Sequence, residues 1–129
     1  MHVDAALTPE DRGLVDRFFQ AMRTGPSSEP ELMALFAEDA VLVEPFTGHP
    51  RTHQGKAAIR DSYRESWKSP PPDMKITLHR VDLDGDCIRT QWTCTSPAFP
   101  GPMRGEDRFT LRDGRIHRLE TTVALAPLT

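Results

Sequence analysis

Apolar residues recur at helical spacing early in the chain, at Leu14, Val15, Phe18, Phe19 and Met22, and predict an amphipathic helix. Its start is marked by Thr8-Pro9-Glu10-Asp11: a capping hydroxyl, a first-turn proline and two acids at the positive helix end. Gly25-Pro26 stops it. A second, short helix is predicted from Ser28, with Glu31 three residues on as a capping box and Leu32, Leu35 and Phe36 on its buried side. Residues 40–44 then read as a short strand, apolar on both faces except at Glu44, which implies cover on both sides. A loop follows Pro45, with an edge strand over 51–54. A third helix is expected over Gly55–Trp67, with Ala58, Ile59, Ser62, Tyr63 and Ser66 on one stripe, ended by Pro70-Pro71-Pro72.

Beyond the prolines the period changes to two. Strands are predicted over Lys75–Asp84, Cys87–Ser96, Met103–Arg112 and Arg115–Leu125, with Asp84-Gly85 and Asp113-Gly114 as tight hairpin signals. The order is helix, helix, strand, helix, then four long antiparallel strands, an α+β arrangement with three helices over a curved sheet that encloses a cavity. Parity assigns faces. Met74, Ile76 and Leu78 share one. So do Ile88, Thr90, Trp92 and Cys94; Met103, Gly105, Asp107, Phe109 and Leu111; and Leu119, Thr121, Val123 and Leu125. Asp107 is thus a lone carboxyl in an inward apolar row. A buried carboxylate needs partners or a proton, and such groups mark functional sites; a register bulge would instead put it on the surface.

Composition narrows the function. At 129 residues the chain makes one domain, 1–129. The net charge of −3 is spread along the chain without a basic run, which argues against a nucleic-acid partner. Apolar runs are far shorter than the roughly 20 residues of a membrane span, no leader pattern opens the chain, and a cytoplasmic location is expected. Cys87 and Cys94 fall on one strand roughly 23 Å apart, too far for a disulfide. The twelve prolines cluster between periodic segments and act as punctuation. His49 and His53 flank Arg51 after Glu44, but two loop histidines around a proline are better read as solvated than as metal ligands, and His79 and His117 as structural or exposed. Asp82, Asp84 and Asp86 surround Gly85 without the rest of a calcium loop, and read as a hairpin. Neither metal nor cofactor is predicted.

Three stretches carry a resemblance: Val15–Met22; residues 35–63, LFAEDAVLVEPFTGHPRTHQGKAAIRDSY; and Gly105–Leu119 with its D-x-F-x-L-x-D-G-x-I pattern. They resemble the ketosteroid isomerase and SnoaL-like cyclase branch of the NTF2-like superfamily. The resemblance implies a cystatin-like cone, a mixed or antiparallel curved sheet with three helices on its concave face. In that branch a strand ends in an acid followed by Pro, and the acid is the catalytic base. Here it falls on Glu44, which local pattern alone would leave at a solvent-facing strand end. The oxyanion-hole acid falls on Asp107 and a supporting tyrosine on Tyr63. The oxyanion-hole tyrosine falls on Phe18, which has no hydroxyl. Ketosteroid isomerases are themselves a known case of a carboxylic acid kept neutral by an apolar site.

The resemblance therefore implies proton abstraction beside a carbonyl, with Glu44 as base, Asp107 as protonated donor and Tyr63 in support. The substrate would be a small apolar molecule, carbonyl-bearing or polyketide-like, bound by Phe18, Ile59, Trp92, Met103, Phe109 and Leu119. Trp92 could stack on a flat ligand or simply fill the core. The alternative is a non-catalytic ligand-binding or association domain. A homodimer through the mixed polar outer sheet face is also implied.

Overall fold

A computed structural model of the chain describes residues 7–125, the side chain of Leu125 excepted. Helix α1 spans Pro9–Thr24, followed by a short 3₁₀ turn, Pro26–Ser28, and α2, Glu29–Ala34; α3 spans Lys56–Ser66. The strands are β1 Phe36–Glu44, β2 Arg51–Gln54, β3 Lys75–Asp84, β4 Cys87–Thr95, β5 Met103–Arg112 and β6 Arg115–Leu125. They form one open sheet in the order β2-β1-β6-β5-β4-β3, antiparallel throughout except for the parallel pair β1–β6.

Thr8 caps α1 as expected, its hydroxyl accepting from the Asp11 amide at 3.1 Å. The helix turns Leu14, Val15, Phe18 and Phe19 into the core. The second helix departs from expectation at both ends. No Ser28 side-chain cap forms, and the 3₁₀ turn comes first. The helix ends at Ala34, and Phe36, expected on its buried side, opens β1. The reason is tertiary: Leu35 O accepts from Ile116 N at 2.7 Å and Phe36 pairs with Ile116 on β6, so a distant strand claims these residues. A register shift between Phe36 and Val41 absorbs the start of β1 and leaves Glu38 and Asp39 exposed.

The period-two faces hold on the long strands. Ile88, Thr90, Trp92 and Cys94 are buried on β4, and Gly105, Asp107 and Phe109 on β5. Asp107 stands between Thr90 and Thr121 in register, so no bulge turns it outward. On β3 a shift between Leu78 and Arg80 passes the inward face from Leu78 to Val81. The Asp113-Gly114 hairpin has positive φ at both residues, 55° and 76°, the pairing its turn type requires. Two of the three aspartates around Gly85 are engaged in ion pairs, Asp82 with Arg80 and Arg89 and Asp84 with Arg108. Cys87 and Cys94 are unpaired thiols.

The core lies between helices and sheet, with Leu32, Phe36, Ile59, Phe109, Ile116 and Leu119 fully enclosed. The result is an α+β cone whose wide end stays open. Among the described residues no helix is long and apolar enough to cross a membrane.

Candidate active site

Pro45 cannot donate to a neighbouring strand, so β1 stops at Glu44. The chain loops and returns as β2, which sets Arg51 opposite Glu44 and His53 opposite Leu42. Glu44 is only 1 % exposed, so the solvent-facing alternative is excluded. Its Oε2 accepts from Arg51 Nη2 and Nε at 2.8 and 3.1 Å, lies 2.8 Å from His53 Nε2, and accepts from Ser62 Oγ of α3 at 3.4 Å. Oε1 accepts from the Phe46 amide at 2.8 Å. Burial pushes the carboxyl's pKa up, but His53, the Phe46 amide and Arg51 together outweigh it and hold the group below its ordinary value. His53, read as a solvated loop residue, is in fact a partner of the buried acid from an edge strand.

Asp107, 2 % exposed, occupies the middle of β5. Its Oδ2 accepts from Trp92 Nε1 at 2.9 Å and Thr90 Oγ1 at 3.1 Å, and its Oδ1 from Thr121 Oγ1 at 2.6 Å. Here burial dominates. It raises the pKa to about 6 against the pull of these three donors. The two acids therefore differ in kind: Glu44 has a cation beside it, and Asp107 has only neutral donors.

Tyr63 stands one residue after Ser62 on the buried face of α3, stacked on Trp67 with ring centroids 5.9 Å apart. Burial, then the charges of Asp107 and Glu44, raise its pKa, so the phenol keeps its proton. The phenol has no hydrogen-bond partner among the described residues.

One cavity of about 510 Å³ joins these groups. Glu44, Asp107, Tyr63, Ser62 and Thr121 supply its polar lining, and Phe18, Phe19, Leu42, Trp92 and Met103 supply apolar wall. Exposed Phe46, Glu65 and Pro70 mark the opening. Phe18 packs edge-on against Phe19 and Phe109. Of the residues expected to contact a substrate, Phe18, Trp92 and Met103 line the cavity. Ile59, Phe109 and Leu119 do not: each is fully buried in the core behind its wall. Parity alone cannot distinguish a wall residue from one packed beneath a helix.

Sequence reasoning passed over Arg51, Ser62 and the rim residues Phe46, Trp67 and Phe99, which also line the cavity. Ser62 carried a signal, since it shares a helical stripe with Tyr63. Arg51 carried one only through the β1–β2 register. Among the described residues, no three His, Cys, Asp or Glu side chains are placed to hold a metal ion.

An open α+β cone with a deep cavity and two inward carboxyls defines a class of small pocket proteins. The chain belongs to the SnoaL-like domain family, which matches residues 15–119, and its fold is that of the NTF2-like superfamily. No curated protein matches it in sequence. Among solved structures it is similar to a candidate ketosteroid isomerase from Kribbella flavida, with 22 % identity and a TM-score of 0.73 over 96 % of this chain and 84 % of that one. It is also similar to a candidate polyketide cyclase from Sinorhizobium meliloti, with 29 % identity and a TM-score of 0.69 over 85 % of this chain and 94 % of the other. An NTF2-like protein of unknown function from Mesorhizobium loti matches with a TM-score of 0.74 and 19 % identity, over 95 % of this chain and 97 % of that one.

Proposed function

We propose that the cavity binds a small, largely apolar molecule bearing a carbonyl group and catalyses proton transfer beside that carbonyl, as an isomerase or cyclase would. The observation that carries this reading is the pair of inward carboxyls in one cavity, one held by Arg51, His53 and a backbone amide and the other buried among neutral donors only. Environments that separate two pKa values in this way assign acid–base roles.

In this reading Asp107, rather than Glu44, moves the proton. A general base works best with a pKa near the working pH, and Asp107 at about 6 fits. Glu44 is saturated with donors and held ionised, which makes it a weak base. Its charge and hydrogen bonds anchor Arg51 and Ser62 in the cavity wall. Tyr63 supplies the hydroxyl that Phe18 lacks. Its phenol donates to the carbonyl oxygen and stabilises the enolate as the α-proton passes to Asp107. Asp107 then returns the proton to a different carbon, or protonates the oxygen formed on ring closure. The likeness to a candidate polyketide cyclase supports a carbonyl-rich substrate.

Exchange of α-protons into deuterated water, followed by NMR with flat enolisable ketones such as 2-tetralone and 2-acetonaphthone, tests this. Asp107→Asn should slow exchange by at least about 100-fold and Tyr63→Phe on the order of 100-fold. The wild-type rate should rise with pH through about 6 as Asp107 ionises. A second reading, a ligand-binding or association domain without catalysis, draws on the missing hydroxyl at Phe18. Tight binding without exchange, in wild type and in Phe18→Tyr alike, would establish it.

A further inference from the structure

Trp92 and Gly105 face each other across β4 and β5. A Cβ placed on Gly105 would sit 2.0 to 2.4 Å from three atoms of the Trp92 indole, Cζ2, Cε2 and Cη2. No real Cβ tolerates that separation. The atoms are not the end of a flexible chain but part of a rigid fused ring. The indole therefore lies folded down over the bare backbone of β5, in the space a side chain would take. A glycine inside a strand commonly marks such a close approach.

That posture has a chemical result. Asp107 is two residues beyond Gly105 on the same inward face, and the folded-down ring brings Nε1 to 2.9 Å from Asp107 Oδ2. It also sets the ring against the cavity wall, which Trp92 lines. Indole N–H is a donor only, so this bond favours the carboxylate over the acid. Thr90 and Thr121 hydroxyls can donate or accept, and so accommodate either state.

We propose that Gly105 is a positioning residue for Asp107: by leaving room for the Trp92 ring, it fixes the one obligate donor that sets how readily the buried carboxyl gives up its proton. Any side chain at 105 lifts the indole off β5 and breaks the bond. Gly105 touches no substrate and acts only through Trp92. The catalytic weight of this device rests on Asp107 being the proton-moving group; the device itself does not.

Carboxyl NMR titration of Asp107 in wild type, Gly105→Ala, Trp92→Phe and the double variant tests the proposal without any ligand. Losing one donor to a buried carboxylate should raise the midpoint by about one pH unit, in Gly105→Ala and in Trp92→Phe alike. The double variant should match Trp92→Phe alone, because nothing remains for Gly105 to position. An unchanged midpoint in either single variant, or additive shifts in the double, would overturn it. Should Gly105→Ala not fold, the double variant decides: the untethered phenylalanine ring can rotate away and restore the fold, and failure to do so would refute the steric link. Absence of ketone exchange in wild type would defeat the catalytic reading and leave this titration result standing.

Discussion

Two carboxyls in one cavity behave differently because their neighbours differ in charge. Glu44 has Arg51 and His53 beside it; Asp107 has two hydroxyls and an indole. Opposite pH signatures follow. The Glu44 pKa is lowered by folding, so its contribution to stability is present above the ordinary value of 4.5 and is lost as pH falls through the lowered midpoint. Glu44→Gln should destabilise the protein by about 1–3 kcal/mol at pH 7, less than a fully enclosed ion pair would lose, since Arg51 reaches solvent. Urea unfolding should show that difference shrinking in acid. Asp107 is the reverse case. Its pKa rises from 3.8 to about 6 on folding, so its contribution is complete below 3.8 and declines as pH rises through about 6. The accompanying change is on the order of 3 kcal/mol. Relative to wild type, Asp107→Asn should therefore gain stability between about pH 4 and pH 7. Parallel urea titrations would show it, and a flat difference would mean that Asp107 does not titrate in this range.

At the scale of elements, local chemistry and long-range pairing contribute in different places. Helix α1 is written into its own segment, from the Thr8 cap to the buried stripe at Leu14, Val15, Phe18 and Phe19. Thr8→Ala should cost about 0.5–2 kcal/mol, read as a lower midpoint in thermal unfolding monitored by circular dichroism; no change would mean that the cap is replaced by water without loss. The start of β1 is not local. Residues 35 and 36 continue a helical apolar stripe in sequence, yet Ile116 on β6 takes them into the sheet. The same parallel pairing places β1 between β2 and β6, which carries Glu44 inward to meet α3.

Over the whole molecule, the inner sheet face is occupied by core and cavity while the outer face carries partly exposed polar side chains. That face presents Gln91, Thr93, Arg108 and Thr110, with Arg108 already paired to Asp84. We propose that a second copy covers it. Light scattering on a sizing column should give about twice 14.5 kDa, unchanged by reductant because both thiols are unpaired. A monomer at micromolar concentration would count against this face as a self-association surface.

The sequence by itself determined the approximate limits of α1 and α3, the four long strands, the hairpin at Asp113-Gly114 and the inward row that holds Asp107. These follow from periods of 3.6 and 2 and from turn chemistry, which act over a few residues. It also carried the family pattern around Glu44. Only the tertiary structure decided which inward residues border empty space. Trp92 and Met103 line the cavity while Phe109 and Leu119, of the same parity, are packed over. It alone brought Arg51 and His53 to Glu44 and an indole to Asp107, and so holds one carboxyl below its ordinary pKa while burial raises the other to about 6. A pKa depends on the charges and burial within a few ångströms, and those neighbours come from strands and helices far apart in the chain.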